Sequence, residues 1–379
     1  MTILRSKKKI CVITGSRSDY SLLRSIIFTI KKDKNINLKI IATGSHLEKN
    51  FGYTVKELIN DGLNIDYRVK LNLKNANEKN ITYSTSTGIQ KFFNIFNKIK
   101  PDGLLILGDR YEVFSAAYAA HILKLKIFHF SGGEKTPYVY DNAIRNCLSF
   151  FATYHFVANR SYKKNLIKMG IKNQNIFDVG SLGLDKIKLL NKYEKKLFLK
   201  KYKINRFEKY FLITFHPTTL FSIKKNIEET KNLLLALKTF KDHKKIFTLP
   251  TADNGSHIIS KMIKIFCKNN NEAKFYTSLG SMDYLKMAQN SDLIIGNSSS
   301  GISEIPSLKK ISINIGHRQK GRIFGNSVLN SSSRKNNIIF NIKKGLSLSN
   351  KSNFIKKIKN PYGSGNSSIK SFRIIKKFI

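Results

Sequence analysis

Cysteine is scarce in this sequence. Cys11, Cys147 and Cys267 are odd in number and far apart, which excludes a disulfide framework and any cysteine metal spacing. A reducing cytoplasm is the expected compartment. No apolar run approaches the roughly 18 residues that a membrane-spanning helix needs. The basic stretch Met1–Lys9 leads straight into a strand, without an apolar segment ending in small residues. Neither a membrane partner nor a secretory signal is expected. Acidic residues are also few: 24 Asp and Glu stand against 68 Lys and Arg, a formal charge of +44. Such an excess suggests nucleic-acid binding. The lysines, however, come as scattered pairs such as Lys31-Lys32, Lys163-Lys164, Lys224-Lys225, Lys309-Lys310 and Lys376-Lys377. They form no single patch, and few aromatics lie among them to stack bases. The excess reads as drift in a genome rich in A and T, and no nucleic-acid partner is expected. A positive field would still draw in an anionic substrate. Missing, too, is a G-x-G-x-x-G after the first strand. The second strand ends in Thr43-Gly44 where a nicotinamide enzyme would place an acid. No cofactor and no metal are expected.

What is present is an alternation of short apolar runs with amphipathic segments. Ile10–Thr14, Leu38–Thr43, Gly103–Gly108, Lys126–Phe130 and Tyr154–Ala158 read as buried strands. Helices are expected from about Tyr20 and over Tyr111–Leu123. After a relaxed stretch at Gly180–Asp185 and a charged one at Lys186–Lys209, strands resume at Tyr210–Phe215, Lys245–Leu249, Asp292–Gly296 and Ile311–Ile315. Strands separated by helices imply mostly parallel sheets. The length fits two domains at roughly 100–200 residues each, and 41% apolar residues suffice for two cores. The α/β chain is therefore expected to form two doubly wound domains facing a cleft, residues 1–180 and 181–365. A C-terminal helix over 366–379 is expected to pack back on the first. The Asn/Ser/Gly-rich stretches 326–337 and 363–368 read as loops. In doubly wound sheets ligands bind beyond the carboxyl ends of the strands.

Six clusters stand at such ends. Gly15-Ser-Arg-Ser-Asp19 opens a helix where an Arg and small residues suit a phosphate or anionic sugar group; Asp19 alone reads equally well as an N-cap. In Gly108-Asp-Arg-Tyr-Glu112, Asp109 beside Arg110 can be held ionised as base or orienter, or form a plain cap and ion pair. His129-Phe-Ser-Gly-Gly-Glu134 lets a ligand approach the Gly-Gly backbone. Asp141 and Arg145 follow at helical i,i+4 spacing, a convergent pair or an ordinary surface salt bridge. His216, beside Pro217, is a candidate acid, base or phosphate ligand. Pro250–Gly255 is a polar loop containing Asp253. Last, Gly296-Asn-Ser-Ser-Ser-Gly-Ile-Ser-Glu304 opens a helix as a phosphate cradle that includes Ser298 and Ser299. Glu304 stands one turn in, ready to accept from ribose hydroxyls, and Arg318 follows in His317–Arg322.

In this order and spacing, Gly15–Tyr20, Thr43–His46, Gly108–Glu112, Gly132–Glu134, Phe215–Leu220, Gly296–Glu304 and Asn360–Gly363 resemble the hydrolysing UDP-N-acetylglucosamine 2-epimerases. The resemblance runs from Lys9 to about Ser368 and is nearest the bacterial branch serving sialic and legionaminic acid synthesis. It implies a glycosyltransferase-B-like pair of Rossmann-like domains, a homodimer or dimer of dimers, a nucleotide-sugar substrate, and no metal or nicotinamide. By that resemblance Arg17, Ser21, His216, Ser298, Ser299, Glu304 and Arg318 hold the nucleotide diphosphate, and Asp19, Asp109, Glu134, Asp141 and Arg145 face the sugar. Arg110 and Asp253 join the substrate-binding set. The catalytic set is Asp19, Asp109, Glu134, Asp141 and His216.

The implied chemistry has two steps. A base removes the proton at sugar carbon 2 as UDP leaves carbon 1, giving a glycal. Water then adds to carbon 1, and a proton returns to carbon 2 from the other face. Three positions depart from the pattern: Ser131 where the family usually has His or Glu, Asn142 where it has a second acid, and Asn146 where His is common. The alternatives are the same reaction on a UDP- or GDP-linked 2,4-diacetamido-2,4,6-trideoxyglucose, a non-hydrolysing epimerase, a glycosyltransferase, a basic nucleic-acid-binding module, and an inactive nucleotide-sugar-binding protein.

Overall fold

A computed structural model describes residues 6–71, 77–205, 207–251 and 253–379, with the side chains of Asn191 and Lys192 aside. The start of the basic Met1–Lys9 stretch and Ala252 of the 250–255 loop lie outside the described residues.

The chain divides into two compact units. The first comprises residues 1–134, 141–185 and 365–379; the second comprises 135–140 and 186–364. Each is a parallel sheet with helices between its strands. The first sheet contains β1 (Lys8–Thr14), β2 (Ile36–Thr43), β3 (Tyr67–Val69), β4 (Gly103–Leu107), β5 (Ile127–Phe130), β6 (Tyr154–Val157) and β7 (Ile176–Asp178). Their order is β3-β2-β1-β4-β5-β6-β7. The second sheet contains β8 (Tyr210–Thr214), β9 (Lys244–Thr248), β10 (Ala273–Tyr276), β11 (Leu293–Gly296), β12 (Ser312–Ile315) and β13 (Val328–Ser331), in the order β10-β9-β8-β11-β12-β13.

Apolar residues run continuously along the central strands because both faces are covered. In β1, Ile10 and Val12 join a core with Leu105, Phe128 and the helix Arg17–Lys31. Cys11 and Ile13 join another core with Leu104, Ile106, Phe92 and Phe96. The C-terminal helix Ser367–Ile375 belongs to the first unit, where Phe372 and Ile375 enter the core built on Ile26 and Ile30. Its first amides, of Ser367 and Ser368, donate to the Asp185 carboxylate at 2.8 and 2.7 Å, which satisfies donors that a helix start leaves free. Among the described residues, no helix is long and apolar enough to cross a membrane.

Both sheets reverse direction beside their first strand, between β1 and β4 and between β8 and β11. Such reversals open a crevice at the strand ends where ligands bind. Four of the sequence clusters follow these four strands.

Three readings need correction. The first helix starts at Arg17, ahead of Tyr20, because Ser16 caps it. The stretch 326–337 is not all loop: Val328–Ser331 pairs in parallel with Ser312–Ile315 as the edge strand β13, and a helix begins at Lys335. The Ser/Gly loop after β11 opens only a single turn, Ser300–Ser303, with Glu304 at its end. Pro306 then helps set a 3-10 turn over Ile305–Leu308.

Candidate functional site

In the first unit, chain reversal after β1 gathers three clusters. Ser16 caps the helix Arg17–Lys31: its side chain accepts from the Asp19 amide at 3.3 Å. Asp19 is thus not the N-cap. It lies in the first turn, and its carboxylate accepts from the Gly15 amide at 3.2 Å. Asp19 is buried, and burial first of all pushes its carboxyl up to about 6, with Arg110 opposing and Glu112 adding to the rise. A carboxyl poised in this way is a candidate proton carrier. Arg17 and Ser21 lie on the same helix, both partly exposed.

Burial of that carboxyl has a stability consequence. Below about pH 4 Asp19 is protonated folded or unfolded, and the burial costs nothing. Between about 4 and 6 the folded state holds the extra proton, so stability falls as pH rises; the full cost, about 3 kcal/mol, applies above 6. Asp19→Asn is therefore expected to be more stable than the native chain near pH 7 and no different at about pH 3. Thermal unfolding across that range checks it, and a difference independent of pH would contradict it.

After β4, the partners differ from those the sequence suggests. Arg110 turns to Glu112, Nε to Oε1 at 2.7 Å, with Glu112 fully buried. Asp109 meets Arg145. The Glu112 carboxylate fills the space beside Gly15 and Gly44: a Cβ on Gly15 would come within 2.5 Å of Glu112 Cγ, and one on Gly44 within 2.9 Å of Oε1. That close approach explains Thr43-Gly44 at the end of β2. His46, buried between the hydroxyls of Thr14 (2.9 Å) and Thr54 (2.8 Å), is driven down to about 3 by burial and stays neutral.

Arg145 is the hub of this unit. Only 1% exposed, it is no member of a surface salt bridge. One arm bonds Asp109 and the other the Glu134 carbonyl at 2.9 Å. Asp141 opens the helix Asp141–Phe151 one turn earlier. Glu134 is buried and Asp141 half-buried. The loop reaches Glu134 through Ser131 and Gly133, both at positive φ (66° and 76°). At Gly133 a Cβ would overlap the Tyr162 carbonyl.

In the second unit, His216 follows β8 and Asn297 follows β11. The Asn297 side chain clamps the His216 backbone, accepting from its amide at 2.7 Å and donating to its carbonyl at 2.8 Å. Arg318 and Gln319 both donate to the Asn297 carbonyl, at 3.3 and 2.7 Å. Arg318 also lies 3.5 Å from the Asp253 carboxylate, which is 4.0 Å from His216 Nδ1. Thr251 joins His216 Nδ1 through its amide and its hydroxyl, each at 3.4 Å. His216, Asp253 and Arg318 are thus brought together next to Ser298 and Ser299, which are partly exposed. Glu304 is buried and pairs with the buried Lys186 at 2.7 Å.

Sequence reasoning missed Lys186, Asn297 and Glu112. Lys186 carries no distinguishing signal among so many lysines. Asn297 stands inside a recognised motif, and its place at a reversal strand's end was the available clue.

Removing one member of a buried ion pair strands the other charge, at a cost of about 3–5 kcal/mol. Lys186→Met is expected to destabilise the second unit by about that much. Adding Glu304→Gln to it should restore most of the loss, because neither charge then remains alone. Denaturant titration of the two single variants and the double variant measures the coupling. Additive losses would show that the pair contributes nothing.

Two parallel α/β units, each with polar strand-end loops at its reversal, define a two-domain Rossmann-like protein of the glycosyltransferase-B type. The family model for UDP-N-acetylglucosamine 2-epimerase matches residues 29–376, and the chain belongs to that family. It is a nucleotide-sugar 2-epimerase. It is 38% identical to the polysialic acid biosynthesis protein P7 of Escherichia coli, over 98% of this chain and 94% of that one. It is also 38% identical to the hydrolysing GDP/UDP-N,N'-diacetylbacillosamine 2-epimerase of Campylobacter jejuni, over 86% and 85%. The fold matches the UDP-GlcNAc 2-epimerase of Neisseria meningitidis, solved with UDP-GlcNAc, at a TM-score of 0.82 and 21% identity, covering 97% and 100%. Among the described residues, no group of three or more His, Cys, Asp or Glu is placed to hold a metal.

Proposed function

We propose that the protein is a cytoplasmic hydrolysing 2-epimerase that converts UDP-N-acetylglucosamine to N-acetylmannosamine and UDP, for the synthesis of sialic-type sugars. The observation that carries this reading is the first-unit cluster, in which a buried Arg145 joins Asp109 to the Glu134 loop. Carbon–hydrogen cleavage at carbon 2 needs a carboxylate base, and Asp109, held by Arg145, is placed in that role. Elimination then breaks the bond from carbon 1 to the diphosphate, and the electron pair leaves with UDP. Hydration of the glycal needs a proton donor for carbon 2 on the opposite face. Asp19, Glu134 and Asp141 are the candidates, and Asp19 is already displaced toward neutrality. In the second unit His216, Arg318, Ser298 and Ser299 would take the diphosphate. Glu304 would accept from the ribose.

A second reading has specific support. The Campylobacter relative, and a Legionella pneumophila relative 31% identical over 97% of this chain, are both hydrolysing N,N'-diacetylbacillosamine 2-epimerases. The same chemistry on a UDP- or GDP-linked 2,4-diacetamido sugar would leave every role above unchanged. Measuring kcat/KM on the three donors decides between the readings. The preference is assigned to the donor with the highest value, and release of no nucleotide from any of them would refute both.

A homodimer is part of this proposal. The helices Tyr111–Ile122 and Asp141–Phe151 contain no lysine in a chain of charge +44. They and their neighbour Glu78–Ile99 expose Phe93, Tyr118, Ile122 and Phe150. A face that meets its own copy must shed like charge, which the helices Tyr111–Ile122 and Asp141–Phe151 have done.

A further inference from the structure

The chain leaves the first unit after Glu134 and re-enters it at Asp141; the residues between, Lys135–Tyr140, belong to the second unit. They are anchored there along their length. The Lys135 carbonyl lies against Gly321 so closely that a Cβ there would come within 2.8 Å of it. Tyr138 accepts at its carbonyl from the Leu220 amide at 3.3 Å. Its ring packs on His317 and Phe221, at centroid distances of 5.2 and 5.8 Å, and Lys320 lies over it. The Tyr140 amide donates to Thr219 Oγ1 at 3.2 Å. Val139 is buried.

The anchoring segments are not arbitrary parts of the second unit. Thr219–Phe221 continues from His216, and His317–Gly321 contains Arg318. At its other ends this segment holds two candidate catalytic carboxylates. Glu134 precedes it and Asp141 follows it, and one turn beyond Asp141 Arg145 returns to bond the Glu134 carbonyl and Asp109. Arg145 thereby closes the loop that the segment spans.

We propose that Lys135–Tyr140 is a coupling strap, and that Tyr138 is a positioning residue through which the loops carrying His216 and Arg318 set the placement of Glu134 and Asp141. This rests on the nucleotide-binding role proposed above for those loops. Nucleotide in the second unit orders His317–Gly321 and Thr219–Phe221, the strap follows through Tyr138, and the sugar-side carboxylates are placed only then. A reaction that eliminates UDP benefits from such an order, because the base is assembled only when the leaving group is held.

The test uses the full chain and UDP. In the native protein, amide hydrogen exchange is expected to slow on UDP binding at the loops after β8 and β11, and also in the first unit at Ser131–Glu134 and Asp141–Arg145. In Tyr138→Ala the second-unit protection persists, with UDP affinity within about threefold, while the first-unit protection is lost and kcat falls by about 10- to 100-fold. Tyr138→Phe keeps the ring contacts and should retain kcat within about threefold. Gly321→Ala, which pushes on the Lys135 carbonyl, should reproduce the Tyr138→Ala pattern if that variant folds poorly. First-unit protection and kcat unchanged in Tyr138→Ala and Gly321→Ala would overturn the strap alone. A parallel loss of UDP affinity and kcat in both folded variants would overturn it too, as a merely structural role. If UDP slows exchange nowhere in the native protein, the nucleotide reading falls and the strap with it.

Discussion

Asp109→Asn is expected to lower kcat by about a thousandfold or more, with UDP affinity within about threefold of native. The amide keeps the size of the carboxylate and still accepts from Arg145, but it cannot take the carbon 2 proton. It also removes a charged partner of Arg145, which is 1% exposed. Breaking a buried ion pair costs about 3–5 kcal/mol, so stability must be measured beside turnover. The double variant Asp109→Asn, Arg145→Met separates the effects: it should recover stability and remain inactive. If Asp109→Asn retains full turnover, the base is another residue and the role assigned to Asp109 is wrong. If the double variant regains activity, the loss in the single variant was structural.

Gly296→Ala is expected to unfold the second unit under conditions where the native chain is folded. Gly296 ends β11 at φ 142°, a conformation essentially restricted to glycine, and its backbone passes directly over Thr214. A Cβ there would overlap the Thr214 carbonyl oxygen, which accepts from the Asn297 amide at 3.1 Å. Strain and lost strand register together exceed about 4 kcal/mol, in the range reserved for such backbone clashes. The Asn297 clamp on His216 would go with it. Limited proteolysis locates the effect: cleavage should concentrate in 186–364, while the first unit's core, built on β1, β4 and β5, resists. A variant that melts like the native chain would show that the β8–β11 contact is looser than described.

Most of the architecture was legible in the sequence because central strands of parallel sheets are buried on both faces. Ile10–Ile13, Leu104–Leu107 and Tyr210–Ile213 announce themselves as uninterrupted apolar runs. Edge strands do not. In Val328-Leu-Asn-Ser331 only two of four residues are buried, and flanking Asn and Ser made it read as loop. Tyr67–Val69 and Ile176–Asp178 are shorter still and half-exposed. The clusters at the strand ends were also visible, because glycine and polar residues interrupt apolar runs abruptly. Their partnerships were not. Sequence neighbours invited pairing Asp109 with Arg110, yet the fold brings Arg145 to Asp109 and Arg110 to Glu112. Lys186 reaches Glu304 from a stretch that reads only as charged linker. Charge pairing over long chain separations depends on topology, which local patterns do not encode.

The central claim is hydrolytic epimerisation at carbon 2. Its most direct test incubates the native protein with UDP-N-acetylglucosamine, and in parallel with the 2,4-diacetamido donors, in heavy water, followed by proton and phosphorus NMR. The account predicts free nucleotide diphosphate and a free manno-configured sugar carrying deuterium at carbon 2. Release of the sugar with its carbon 2 proton retained, or a manno sugar still attached to its nucleotide, would contradict it.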